Sequence, residues 1–227
     1  MAAAKVISIL QYYVRQGYAR HVQMLCREVL KTSPNNHLLQ FWRVYGKIME
    51  GSFSEAMQDL QSIQPSHDTA PAIAAARIMV HKAARLVDHE AVGDLTVELE
   101  GLENSCSESA SILLASFYCN TGAKERARAI GERVLRTTGD RTEAEVLLGW
   151  TIVTQQNEDY GLDTGDELDD ARAYFESAVE TDPNNLEAAM GRAKIAEMQK
   201  QYDVAIERLQ EVSHALHCLG GQTAAGN

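Results

Sequence analysis

The chain has 227 residues, 45% of them apolar and 23% charged, and its 32 acidic against 21 basic side chains leave a net charge of -11. Such totals exclude a disordered or fibrous chain, and the negative charge repels phosphate backbones, which argues against nucleic acid as a partner. Four scattered cysteines (Cys26, Cys106, Cys119, Cys218) with no Cys-x-x-Cys pair exclude a disulfide framework or zinc ribbon and fit a reducing compartment.

The opening MAAAKVISILQYYVRQ is apolar only briefly, lacks a small-residue cleavage site and is interrupted by Arg15 and Gln16, so no signal peptide is expected. No stretch reaches the ~18 apolar residues of a membrane span, and a soluble, cytoplasmic chain without direct membrane insertion is expected. A first helix pair is expected over about 3–36, marked by Leu10, Tyr13, Gly17 and Val29, with Val22 where a small residue belongs. It stops at TSPNNH, because Pro34 disfavours the helical conformation in Ser33 and an Asn side chain then offers an acceptor to the open amides of the next helix. A second pair spans about 37–70, with Gly51, Phe53, Ala56 and Leu60. Over 71–107 the apolar spacing stays helical (Ile78, Leu95, Leu99, Leu102) while other signals fade.

The pattern is clearest after Glu108. The segment 108–141 carries Leu114, Ala115, Tyr118, Gly122 and Ala127, and 142–185 carries Leu148, Gly149, Ala171, Phe175, Ala178 and Pro183. Between the two helices of the latter lies an acidic turn, 155–170, roughly ten residues longer than the repeat allows. A second stop, TDPNNL, launches 186–219 with Ala193, Ala196, Tyr202, Ala205 and Leu209, and 220–227 is expected to be a flexible tail. A frame of about 34 residues with these small and large positions is the tetratricopeptide pattern. The expected fold is therefore all-α: a right-handed superhelical solenoid of about six helix-turn-helix repeats forming one elongated domain over 1–219. Small residues (Ala115, Ala127, Gly149, Ala171, Ala193, Ala205) should let paired helices approach closely, with Leu114, Leu148, Phe175 and Leu209 filling the gaps.

The combination of LQYYVRQGYARHV, YGKIMEGSFSEAM, VLLGWTIV and ARAYFESAVE, in that order, resembles the N-terminal region of the large tetratricopeptide-repeat subunit of intraflagellar transport complex A, the tetratricopeptide repeat protein 21 family. The likeness runs roughly from Val6 to Val212. It implies a non-enzymatic scaffold of the cilium and its basal body, acting in retrograde transport alongside the dynein motor and in ciliary entry of membrane proteins. The implied partners are other complex subunits, several pairing propellers with helical repeats. The family's proteins are longer solenoids, so a piece of a larger chain is expected, and HCLGGQTAAGN does not read as a capping repeat.

First helices usually line the concave face of such a solenoid, and partners dock there. Ile7, Phe41, Tyr45, Ile48, Ile112, Trp150 and Val153 are the expected partner-binding groove, with packing against the next repeat as the competing reading. A generic cytosolic adaptor or co-chaperone is the alternative role. The carboxylate clamp of a co-chaperone needs basic and amide side chains on first helices, whereas Ala4, Ser8, Leu38, Trp42, Ser109, Leu113, Glu143 and Leu147 occupy those places. Catalysis has no foothold: phosphate-cradling loops and nucleophile elbows are missing from the sequence. The carboxylates of 155–170 depart from the calcium-loop order, and His214, His217 and Cys218 lack a fourth ligand, so neither metal nor cofactor is expected.

Overall fold

A computed structural model describes residues 3–137, 139, 141–156 and 165–221. Residues 157–164 of the acidic turn, the tail from 222, and the side chains of His214, His217 and Cys218 lie outside the described residues. Twelve α-helices and no strand occur among those described: α1 (Ala3–Arg15), α2 (Ala19–Leu30), α3 (His37–Met49), α4 (Phe53–Ser62), α5 (Ala70–Ala83), α6 (His89–Ser105), α7 (Glu108–Asn120), α8 (Lys124–Thr137), α9 (Thr142–Gln156), α10 (Gly165–Thr181), α11 (Leu186–Met198) and α12 (Tyr202–Gly221).

The Pro-Asn-Asn stops work through their second asparagine. The side chain of Asn36 accepts from the Leu39 amide at 3.0 Å, and that of Asn185 accepts from the Ala188 amide at 3.0 Å. Each satisfies one of the open donors of a new helix. Asp88 caps α6 the same way, accepting from Ala91 at 3.0 Å.

The turns inside the helix pairs share a device. Tyr18 donates to the Tyr13 carbonyl, Ser52 to Lys47, Ala123 to Tyr118 and Gln201 to Ala196, each at 2.9–3.0 Å. These six-to-one closures place the preceding residue in the left-handed region. Gly17, Gly51 and Gly122 take that position with φ of +70°, +76° and +84°, but in the last turn it falls to Lys200 at φ 61°. A left-handed L-residue is strained by about 1–2 kcal/mol, more than the added unfolded-state entropy of a glycine. Lys200→Gly is therefore expected to raise stability by about 0.5–1 kcal/mol, seen as a higher denaturant midpoint. A lower midpoint would exclude strain at this turn.

The chain divides into two compact units, one of residues 10–117 and the other of 1–9 with 118–227. Within the 10–117 unit, α2 packs on α3, α3 on α4, α4 on α5 and α5 on α6, and α3 also meets α5. Its largest fully buried side chains include Leu10, Phe41, Trp42, Leu60, Ile73 and Phe117. Gly46 permits close approach: a Cβ there would lie 2.7 Å from Gln23 Cγ and 3.1 Å from the Ala19 carbonyl. The α5–α6 pair, faint in the sequence, packs through a run of alanines, Ala72 and Ala74 to Ala76, and α6 buries Leu99.

In the other unit, α8 packs on α9, α9 on α10, α10 on α11 and α11 on α12, with α9 also meeting α11. Its centre is Phe175, fully buried among Ile152, Val153, Ala171, Ala178, Ala188 and Ile195. A Cβ on Gly149 would lie 2.7 Å from Phe175 Cζ, and one on Gly191 would clash with Cζ and both Cε atoms of the same ring. The ring is thus clasped by glycines from α9 and α11. Gly149→Leu and Ala171→Leu are each expected to cost about 1–3 kcal/mol by overpacking, measured as a fall in melting temperature. An unchanged value for both would remove this packing scheme.

Candidate partner-binding surfaces

Ala115, Ala127, Gly149, Ala171, Phe175, Ala193 and Ala205 are all buried. Leu209, expected to fill a gap, is instead exposed on α12. The expected groove divides. Phe41, Tyr45 and Ile48 on α3 and Val153 on α9 belong to the interior, at 0%, 2%, 4% and 0% exposure, so they offer no surface to a partner. The reason lies in α3 itself: Leu39, Phe41, Trp42, Val44, Tyr45, Gly46 and Ile48 are buried around its circumference, and a helix apolar on every side sits inside its domain. Phe41 and Tyr45 meet the ring of Phe117 edge-on, with centroids 6.0 and 5.9 Å apart.

Ile7, Ile112 and Trp150 keep part of their surface. Trp150 is also structural: its indole Nε1–H donates to the Glu187 carbonyl at 3.3 Å, and its ring meets Phe175 at 5.5 Å and 68°. It therefore ties α9 to α11.

The α1–α2 hairpin carries an exposed aromatic group that no reading of groove positions finds. Tyr12 and Tyr18 are 42% and 45% exposed, and their centroids lie 6.4 Å apart. Tyr13 stands 5.9 Å from Tyr12, and His21 lies 5.2 Å from Tyr13 and 5.6 Å from Tyr18. Met24, 61% exposed, follows on α2. The signal was three tyrosines flanking a glycine turn in YYVRQGY; on an ordinary repeat, one would be expected to enter the core. Tyr202, Val204, Ile206 and Leu209 form a second exposed apolar set on α12.

The polar surface is knit by ion pairs. Lys47 reaches Asp59 at 3.0 Å and Glu55 at 3.3 Å, while Arg43 lies 3.7 Å from Asp59. The hydrogen bond to Asp59, ahead of the opposing desolvation, raises the Lys47 pKa above its ordinary value. Burial pushes the Cys26 thiol up to about 12, against a smaller lowering by the Arg43 charge, which makes it a packing residue rather than a nucleophile. Among the described residues, no group of three His, Cys, Asp or Glu is placed to hold a metal, and no helix is long and apolar enough to cross a membrane.

Against known proteins, residues 10–217 match the family model described as the tetratricopeptide repeat protein 21 N-terminal ARM repeat. The chain is 28% identical to tetratricopeptide repeat protein 21B of Xenopus laevis over 88% of its length, covering 15% of that relative. Human tetratricopeptide repeat protein 21B is 24% identical over 93% of the chain and 16% of the relative, and human 21A is 27% identical over 89% and 15%. The chain thus spans about one sixth or less of the length of these relatives. The family description uses the armadillo term for its repeat, while the units seen here are two-helix hairpins.

Proposed function

Because this chain belongs to the tetratricopeptide repeat protein 21 family, within its N-terminal repeat region, we propose that it is a non-enzymatic protein-interaction scaffold of intraflagellar transport complex A. In this role it serves retrograde transport and the ciliary entry of membrane proteins, residing in the cytoplasm, the cilium and the basal body. Its partners are other subunits of that complex, which combine propellers with helical repeats. The single supporting observation is the family match across 10–217, and the described residues within that range form helices throughout the repeats.

The surfaces offered to such partners are the Tyr12, Tyr18 and Met24 patch and the remaining surface of Ile112 in one unit, and that of Ile7 and Trp150 in the other. Exposed aromatic and Met side chains suit protein interfaces. A chaperone clamp is disfavoured, since Trp42, Leu113 and Leu147 stand buried at positions where it needs accessible bases.

Affinity capture of the tagged full-length protein from ciliated cells tests the assignment. Recovery of the transport subunits together is the expected result. Recovery of Hsp70 or Hsp90 with no transport subunit would overturn it.

A further inference from the structure

Glycines inside the helices of this chain mark close approaches. A Cβ on Gly46 would lie 2.7 Å from Gln23 Cγ, one on Gly131 2.9 Å from Leu148 Cδ2, one on Gly149 2.7 Å from the Phe175 ring, and one on Gly191 would clash with that ring. Gly93 and Gly101 differ: both stand inside α6, and a Cβ on either would meet nothing within 4 Å. A glycine in an open helix face lowers stability relative to alanine and gains no contact in return. Helical spacing puts the two on one line with Val97 between them, on the side of α6 opposite Leu99. Leu99 is buried and α6 packs on α5, whereas Val97 is 70% exposed.

The same face is charged without compensation. Glu90, Asp94, Glu98, Glu100 and Glu103 give α6 five carboxylates, and the helix has no Lys or Arg. All but Glu103 are exposed. Among the described residues none of the five forms an ion pair, and Lys82 and Arg85, the nearest Lys and Arg along the chain, form none with them. Elsewhere on the surface Glu50, Asp59 and Glu132 each have a cation. Glu90, Asp94 and Glu98 recur at every fourth residue, a like-charge spacing that weakens a helix standing alone. Two local costs thus fall on one helix face, which is where a site for another molecule is expected.

We propose that this face of α6 seats a basic amphipathic helix of a partner protein. Gly93 and Gly101 let the incoming backbone come close along the line of Val97, as Gly149 and Gly191 do for Phe175. Lys or Arg side chains beside the seam of the partner helix then meet Glu90, Asp94, Glu98 and Glu100. Both features that weaken α6 by itself become favourable once such a helix is in place. The chemistry holds whichever assembly the chain joins, and capture from ciliated cells does not bear on it.

Fluorescence anisotropy of a fluorescein-labelled peptide of KLAALKA heptads, whose lysines flank a leucine seam when helical, tests the proposal by titration with the 227-residue chain at low salt. Saturable binding is expected, weakened about fivefold by Glu90→Gln combined with Asp94→Asn. Gly93→Gln combined with Gly101→Gln should weaken it about tenfold by blocking the close approach. The same pair should raise the melting temperature, because glutamine favours a helix where glycine does not. No folding defect produces both changes together. Asp203→Asn combined with Glu207→Gln removes two exposed charges at the same spacing from α12 and should leave binding unchanged. A peptide of QLAALQA heptads should not bind. Absence of saturable binding, equal loss with the α12 variant, binding indifferent to the glycine substitutions, or equal binding of the glutamine peptide would overturn the proposal. So would self-association in sedimentation that the glycine substitutions abolish, since a second copy of the chain would then occupy this face.

Discussion

Replacing Phe175 with Ala is expected to destabilise the protein by about 3–5 kcal/mol, toward the upper end of that range. The ring is fully buried and touches all sides of its cluster. Its loss removes transfer free energy and leaves a cavity whose walls are the backbone of Gly149 on one flank and Gly191 on the other. Neither wall carries a side chain that can swing into the space, so relaxation recovers little. The edge contact with Trp150 disappears as well. The check is a denaturant titration: the midpoint should fall at nearly constant slope. A loss below about 1 kcal/mol would show that the ring is not the centre of its unit.

Phe41→Ala is expected to have a comparable effect, about 3–5 kcal/mol, in the 10–117 unit. Phe41 is wholly buried and stands 5.3 Å from Trp42 at 69° and 6.0 Å from Phe117 at 65°. Trp42 in turn meets Tyr45 at 5.2 Å and 86°. Edge-to-face pairs add about 0.5–1.5 kcal/mol each beyond burial, and removing Phe41 takes away two. The chain has two tryptophans, with Trp42 in this unit and Trp150 in the other. In a Trp150→Phe background, fluorescence therefore follows Trp42 alone. The unfolding transition it reports should move to lower denaturant. If Phe41 were a surface residue of a partner groove, the substitution would change the midpoint by less than about 0.5 kcal/mol.

How far the sequence discloses this molecule depends on the range of the interactions involved. Asn36 and Asn185 were legible because a cap is made within three residues of its side chain. Gly17, Gly51 and Gly122 were legible because a left-handed turn writes itself as glycine. Lys200 broke that rule, and nothing in its neighbours announced it. Phe41, Tyr45, Ile48 and Val153 left the expected groove for a different reason. Periodicity identifies an apolar face but not how many neighbours cover it, and α3 is enclosed on every side. Gly191 escaped notice because the repeat frame assigns the small site of that helix to Ala193. The requirement at Gly191 comes from a ring on α10, and only the tertiary arrangement reveals it.

The clasp around Phe175 also restricts how such a sequence can drift. A methyl group gained at position 149 or 191 is tolerable only after the aromatic at 175 has been exchanged for something smaller, so these three sites must change in a set order. Pairing Phe175→Leu with Gly149→Ala should then restore stability that each change alone forfeits, a compensation readable as a favourable coupling energy in a double-mutant cycle.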